Sequence, residues 1–124
     1  MALLSPAQID AYLHRIKFSQ PPPTEDRLAL LTLLQQHQLV HIPFESLSLH
    51  YSQDRQVSID LQDLYAKIVE RRRGGYCLEN NAFFAGVLRS LGFRVMSVVC
   101  RITFATRGIF DGSWRPMYVC SLLC

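Results

Sequence analysis

The sequence predicts an α+β protein with its helices first, and three observations carry that reading. Apolar residues recur at helical spacing through most of residues 5 to 91. β-branched and aromatic residues gather only after Phe93. Glycines punctuate the helical part, with Gly74-Gly75 after its third helix and Gly92 after its fourth. The expected organisation is a helical subdomain over residues 1–92 joined to the opening of a β-domain over residues 93–124. Two strands alone make a poor stable unit.

Ser5-Pro6-Ala7-Gln8 reads as a helix start: Ser5 caps, Pro6 suits the first helical position and Gln8 completes a capping box. Ile9, Tyr12, Leu13 and Ile16 follow on one face. Pro21-Pro22-Pro23 makes a stiff break, after which Thr24 is the expected cap of a second helix. Glu25 and Asp26 stand in its first turn, and its five leucines from Leu28 to Leu34 form a broad apolar face. Pro43 disfavours helix at Ile42, and Ser46 to Ser58 carries no pattern and reads as loop. Asp60 caps a third helix with Leu61, Leu64, Tyr65 and Ile68 inward, closed by Arg71-Arg72-Arg73 and the double glycine. A fourth helix runs from Cys77 to Leu91, with Phe84, Val87, Leu88 and Leu91 on one face. Strands are expected over Phe93 to Phe104 and Met117 to Cys124, with an Asp111-Gly112 turn between them.

With 49% hydrophobic and 19% charged residues, the 124-residue chain can bury a core. Its net charge of +3 owes much to the arginine run, which reads as a solvated helix C-terminus; no aromatic–basic interleaving points to nucleic acid. Cys77, Cys100, Cys120 and Cys124 include no C-x-x-C pair, so no metal site is expected. The opening residues carry neither a basic segment nor a long apolar run. No membrane partner is therefore expected, and a cytoplasmic setting with free thiols is.

Arg72-Arg73-Gly74-Gly75-Tyr76-Cys77-Leu78-Glu79-Asn80-Asn81 is the stretch with chemistry in it. The first-turn N–H groups of a helix lack intrahelical partners and favour an anion, so a cysteine there is favoured as the nucleophilic thiolate. Two glycines permit close backbone approach and positive φ, turning the cysteine toward a cleft. The same pattern also fits a buried cysteine opening an amphipathic helix.

Arg73-Gly74-Gly75-Tyr76-Cys77 with Glu79 and Asn81 resembles the active-site motif of the arylamine N-acetyltransferases. Ile42-Pro43-Phe44-Glu45-Ser46-Leu47 resembles a second signature of that family, in the right order and at a compatible distance. The resemblance runs from the first helix to about Arg101 and covers roughly the first half of the family's usual length. It implies a helical subdomain followed by the first strands of a β-barrel-like domain, with the family's remaining part absent. It also implies a Cys–His–Asp triad, acetyl-CoA as acetyl donor, no metal, and a small aromatic amine or hydrazine as acceptor. By the same resemblance Cys77 is the nucleophile, and Arg73, Gly74, Gly75 and Glu79 support the site. Phe44 lines the acceptor pocket. Read without the resemblance, Arg73 is a solvated charge, Glu79 a partner of the helix dipole and Phe44 core.

The departures are as informative. His14, His37, His41 and His50 all precede Cys77, and the family's histidine position falls near Arg115-Pro116-Met117. Neither arginine nor proline takes a proton from a thiol near pH 7. His41 beside a proline turn and His50 in a loop are the substitutes on offer, and Asp111 reads as a turn residue. The expectation is an acetyltransferase chain that is truncated and impaired. A non-catalytic fragment or interaction module is the alternative, and a cysteine hydrolase the second, because thiol-triad enzymes share this nucleophile logic.

Overall fold

The computed structural model describes residues 2–19, 25–51, 53, 56–103 and 112–123. Helix α1 (Pro6–Arg15) starts as its sequence predicts, with Ser5 Oγ accepting the Gln8 N–H and the Gln8 side chain accepting the Ser5 N–H. Helix α2 (Arg27–His41) is capped by Asp26, whose carboxylate accepts the Leu28 N–H at 3.1 Å and the Ala29 N–H at 3.0 Å. This corrects the expectation of Thr24, which lies outside the described residues: a helix opening at Arg27 takes its acceptor from the residue just before it. The broad leucine face is also narrower than expected. Leu34 and Gln38 are the buried residues of α2, while Leu28 is 71% exposed. Ile42 ends the helix in an extended conformation, as a residue before proline prefers.

Within the expected loop stands a short helix, α3 (Leu47–Tyr51). One turn is too short for periodicity to reveal, and the Glu45 carboxylate helps to start it by accepting the Leu47 N–H at 3.3 Å. Helix α4 (Leu61–Tyr65) opens on Asp60, which accepts the N–H groups of Gln62 and Asp63. It continues into a π-helical turn over Ala66–Glu70, closed by the Arg71 N–H on the Ala66 carbonyl at 2.9 Å. The wider turn puts Lys67, Ile68 and Val69, three consecutive residues, in the interior. The chain leaves it through Arg72, in the left-handed region at φ 55°.

Helix α5 (Cys77–Ser90) buries Phe83, Val87 and Leu88 and stops at Gly92, whose φ of 83° suits glycine. Phe83 meets the edge of Tyr12 at a centroid distance of 5.6 Å, and around this pair Ile16, Leu34, Leu64 and Ile68 close the core. Strands β1 (Val95–Thr103) and β2 (Trp114–Leu123) form an antiparallel hairpin, Val95 opposite Leu123, that packs on α5. Strand β2 begins earlier than expected. Arg101 pairs with Met117 but Thr103 with Trp114, so Arg115-Pro116 opposes Ile102 as a bulge. A bulge is where a strand tolerates a residue without an N–H. Among the described residues the sheet is this hairpin. Gly112, at φ 88°, fits the expected turn, and Asp111 lies outside the described residues. No helix of the described residues is long and apolar enough to cross a membrane.

Candidate active site

Cys77 is the first residue of α5 and is half-buried. The residue before it, Tyr76, makes no side-chain cap. Glu79, in the same first turn, instead reaches back and accepts the Tyr76 N–H through Oε1 at 3.3 Å. No N-cap side chain therefore covers the first-turn N–H groups beside the sulfur, and such groups favour negative charge or a polarised carbonyl oxygen.

The two sequence signatures meet through backbone. Phe44 and Gly75 form a parallel bridge in which the Glu45 N–H donates to the Gly75 carbonyl at 3.0 Å and the Gly75 N–H donates to the Pro43 carbonyl at 3.3 Å. A Cβ on Gly74 would stand 1.8 Å from the Pro43 oxygen, and one on Gly75 would stand 2.7 Å from the Glu79 Cβ. Close approach alone therefore demands the double glycine. The expectation of positive φ at these glycines is not met; the left-handed residue of this turn is Arg72. Asn80 Nδ2 donates to the Gly75 carbonyl at 2.8 Å and fixes the bridge to α5. Phe44 is 70% exposed, so it is not core, and its backbone sits beside the double glycine that precedes Cys77.

Beneath this bridge lies a chain of charges. Arg73 Nη2 stands 3.2 Å from Glu45 Oε2 and also donates to Ser48 Oγ at 3.3 Å. Glu45 Oε1 lies 3.4 Å from Lys67 Nζ, and Lys67 Nζ lies 2.5 Å from Glu79 Oε2. Lys67 and Glu79 are both buried. Two carboxylates and two cations balance. Burial works to raise the pKa of Glu45, but its hydrogen bond and proximity to Arg73, followed by those to Lys67, hold the carboxyl below its usual range. The Tyr76 phenol is pushed up by burial, then by the charges of Glu79 and Cys77. Arg73 is thus not one more solvated charge of the arginine run, although Arg71 and Arg72 are exposed.

Sequence reasoning missed Lys67 and Arg15 and assigned no role to Glu45. Arg15 is buried at the end of α1. Its Nε donates to the Ile68 carbonyl at 3.0 Å and its Nη1 to the His41 carbonyl at 2.8 Å, while Nη2 reaches the carbonyls of Arg72 and Arg73 at 3.4 Å each. It places a cation at the C-terminal ends of two helices, and burial followed by the nearby Arg72 charge lowers its pKa. The available signal for Lys67 was a charge at a position flanked by Leu64 and Ile68 on an apolar face, but a regular helical wheel underestimates its burial because the turn is π-helical.

His37 Nδ1 lies 2.9 Å from the Ile16 carbonyl, and its ring stacks on His41 at 5.8 Å. The His41 pKa is lowered by desolvation, then by Lys17, His37 and Arg15. His50 is exposed in the last turn of α3.

A family model described as N-acetyltransferase matches residues 27–111. An N-malonyltransferase of Gibberella moniliformis is 44% identical over 81 residues, spanning 65% of this chain and 24% of that protein. The arylamine N-acetyltransferase of M. tuberculosis superposes with a TM-score of 0.74 at 33% identity, over 93% of this chain and 40% of its own. The Mycobacterium marinum arylamine N-acetyltransferase in complex with CoA does so with a TM-score of 0.67 at 29% identity, over 92% and 41%. The chain therefore spans less of these proteins than the half expected from its motifs. With its two signatures joined at one backbone bridge and these relatives around it, the chain belongs to the arylamine N-acetyltransferase family.

Proposed function

We propose that this chain carries the nucleophile half of an acyl-CoA-dependent N-acyltransferase site, with Cys77 as the acyl acceptor. The observation that carries the reading is the position of Cys77: half-buried, first in α5, with no N-cap side chain over the helix end and the two signatures bridged beside it. In the first half-reaction the Cys77 thiolate attacks the acyl carbonyl carbon of acetyl-CoA. The carbon–sulfur bond to CoA breaks, and CoA leaves as a thiolate that takes up a proton. In the second, the nitrogen of a small aromatic amine or hydrazine attacks the Cys77 thioester, loses a proton to a base, and expels the Cys77 thiolate. Splitting the transfer replaces one difficult step with two easier ones. The solved relative bound to CoA supports the donor class. The arylamine relatives support the acceptor class. Phe44, exposed beside the bridge, is the residue offered to an aromatic acceptor.

The malonyltransferase relative favours a second reading of the donor, with malonyl-CoA in place of acetyl-CoA. Mass spectrometry of the 124-residue chain after exposure to each donor tests both. One acyl increment on the Cys77 peptide, absent in Cys77→Ser, is the expected result, and the donor that labels faster names the acyl group. An unlabelled Cys77 with both donors would overturn the proposal. Within the 124 residues no histidine follows Cys77. The acyl-enzyme is therefore expected to form and then to turn over slowly.

A further inference from the structure

The acyl-transfer steps make no use of Lys67, which is 6% exposed and lies in the π-helical turn after α4. A lone buried ammonium is costly, so its presence calls for compensation. It has two partners, Glu79 at 2.5 Å and Glu45 at 3.4 Å. Glu79 is the significant one. It stands two positions after Cys77 in the first turn of α5 and holds the Tyr76 N–H just before the cysteine. A carboxylate in that turn sits where an anion is favoured, and uncompensated it would oppose a thiolate at Cys77.

We propose that Lys67 is a positioning residue for the Cys77 nucleophile: it cancels the charge of Glu79, so that the open end of α5 acts on the sulfur. This rests on the reading of Cys77 as the acyl acceptor, and it assigns the buried pair a purpose besides stability. Among the described residues, the charged and titratable groups joined to the start of α5 come from four segments. Glu79 and Tyr76 belong to the start of α5, Lys67 to the π-helical turn, Arg73 to the glycine loop, and Glu45 to the segment bridged with Gly75. Glu45 already has Arg73 as its own partner at 3.2 Å. Loss of Lys67 therefore leaves the negative charge on Glu79, within the first turn that Cys77 opens.

The test is the pH profile of Cys77 alkylation by iodoacetamide, followed on its own peptide by mass spectrometry in the 124-residue chain. Lys67→Met is expected to move the profile to higher pH and to slow alkylation near pH 7 about tenfold, the effect of one unbalanced neighbouring charge. Lys67→Arg is expected to restore most of the rate. Glu79→Gln alone is expected to move the profile the opposite way, to lower pH, because Lys67 and Arg73 then share the single carboxylate of Glu45 and the cluster carries a net positive charge. The double variant Lys67→Met with Glu79→Gln is expected to return close to the original profile. A merely structural ion pair gives a different pattern, in which both single variants slow alkylation and the double variant is no better. That pattern, or unmoved profiles, would overturn the proposal. If Lys67→Met does not fold, the direction of the Glu79→Gln shift decides. Alkylation needs no acyl-CoA, so a chain that never takes up an acyl group would refute the acyltransferase reading while leaving this result interpretable.

Discussion

Cys77 and the two glycines before it show how single residues set this site. The sulfur stands at a helix end left open by Tyr76, whereas a packed structural cysteine would be inert. Cys77 is accordingly expected to be the fastest of the four cysteines toward iodoacetamide near neutral pH, measured by peptide mass spectrometry; equal labelling of Cys77 and Cys100 in the folded chain would contradict this. Gly74 is constrained by space alone. With the Pro43 oxygen 1.8 Å from any added Cβ, Gly74→Ala must push the two signatures apart. A loss of about 3 kcal/mol in urea unfolding is expected, with slower Cys77 alkylation in whatever fraction folds.

At the scale of elements, two charged side chains tie helices to the site. Arg15 spreads its donors over four carbonyls, at the end of α2, within the π-helical turn and in the arginine run. Arg15→Met removes these donors, one of them from the buried Ile68 carbonyl, and is expected to cost about 2–4 kcal/mol by denaturant unfolding. Arg15→Lys should recover little, because one ammonium cannot reproduce the planar fork of donors. Glu45 links the Pro43 segment to Arg73, Lys67 and the start of α3. Its pKa is depressed in the folded chain from an ordinary value of 4.5. The stability it adds is therefore present above that value and is lost as pH falls below it, since the unfolded chain then binds the proton first. Comparison of urea midpoints near pH 7 and near pH 3 should show a smaller acid-induced loss for Glu45→Gln than for the parent chain.

For the whole molecule, the helical part and the hairpin meet on α5, the helix that also carries Cys77. The fold sets Cys77 at the start of α5, while His37 approaches the Ile16 carbonyl and stacks on His41, and His50 is exposed. General base help is commonly worth about a hundredfold to ten-thousandfold. Turnover of an arylamine by the isolated 124-residue chain is expected to lie close to background and to change little in Cys77→Ala. Robust acetylation abolished by Cys77→Ala would show that a base is supplied from within these residues, and His41→Ala and His50→Ala would then locate it.

Much of this was legible in the chain itself. Short-range chemistry marks its own place, so the Ser5 and Asp60 caps, the stop at Gly92, the switch to strands after Phe93 and the helix opening at Cys77 follow from neighbouring residues. The resemblance of two short motifs likewise named the family, because each is a run of neighbouring residue types in a fixed order. What the tertiary structure decided are relations between distant segments. The bridge between Phe44 and Gly75 turned the double glycine from a source of positive φ into a requirement for close contact. The π-helical turn buried Lys67 against a helix rule that expects one inward face per turn. Arg73 left the solvated arginine run because Glu45, far off in sequence, had come within 3.2 Å. A charge reads as solvated until its partner is known, and partners separated in sequence are brought together only by the packing of the whole core.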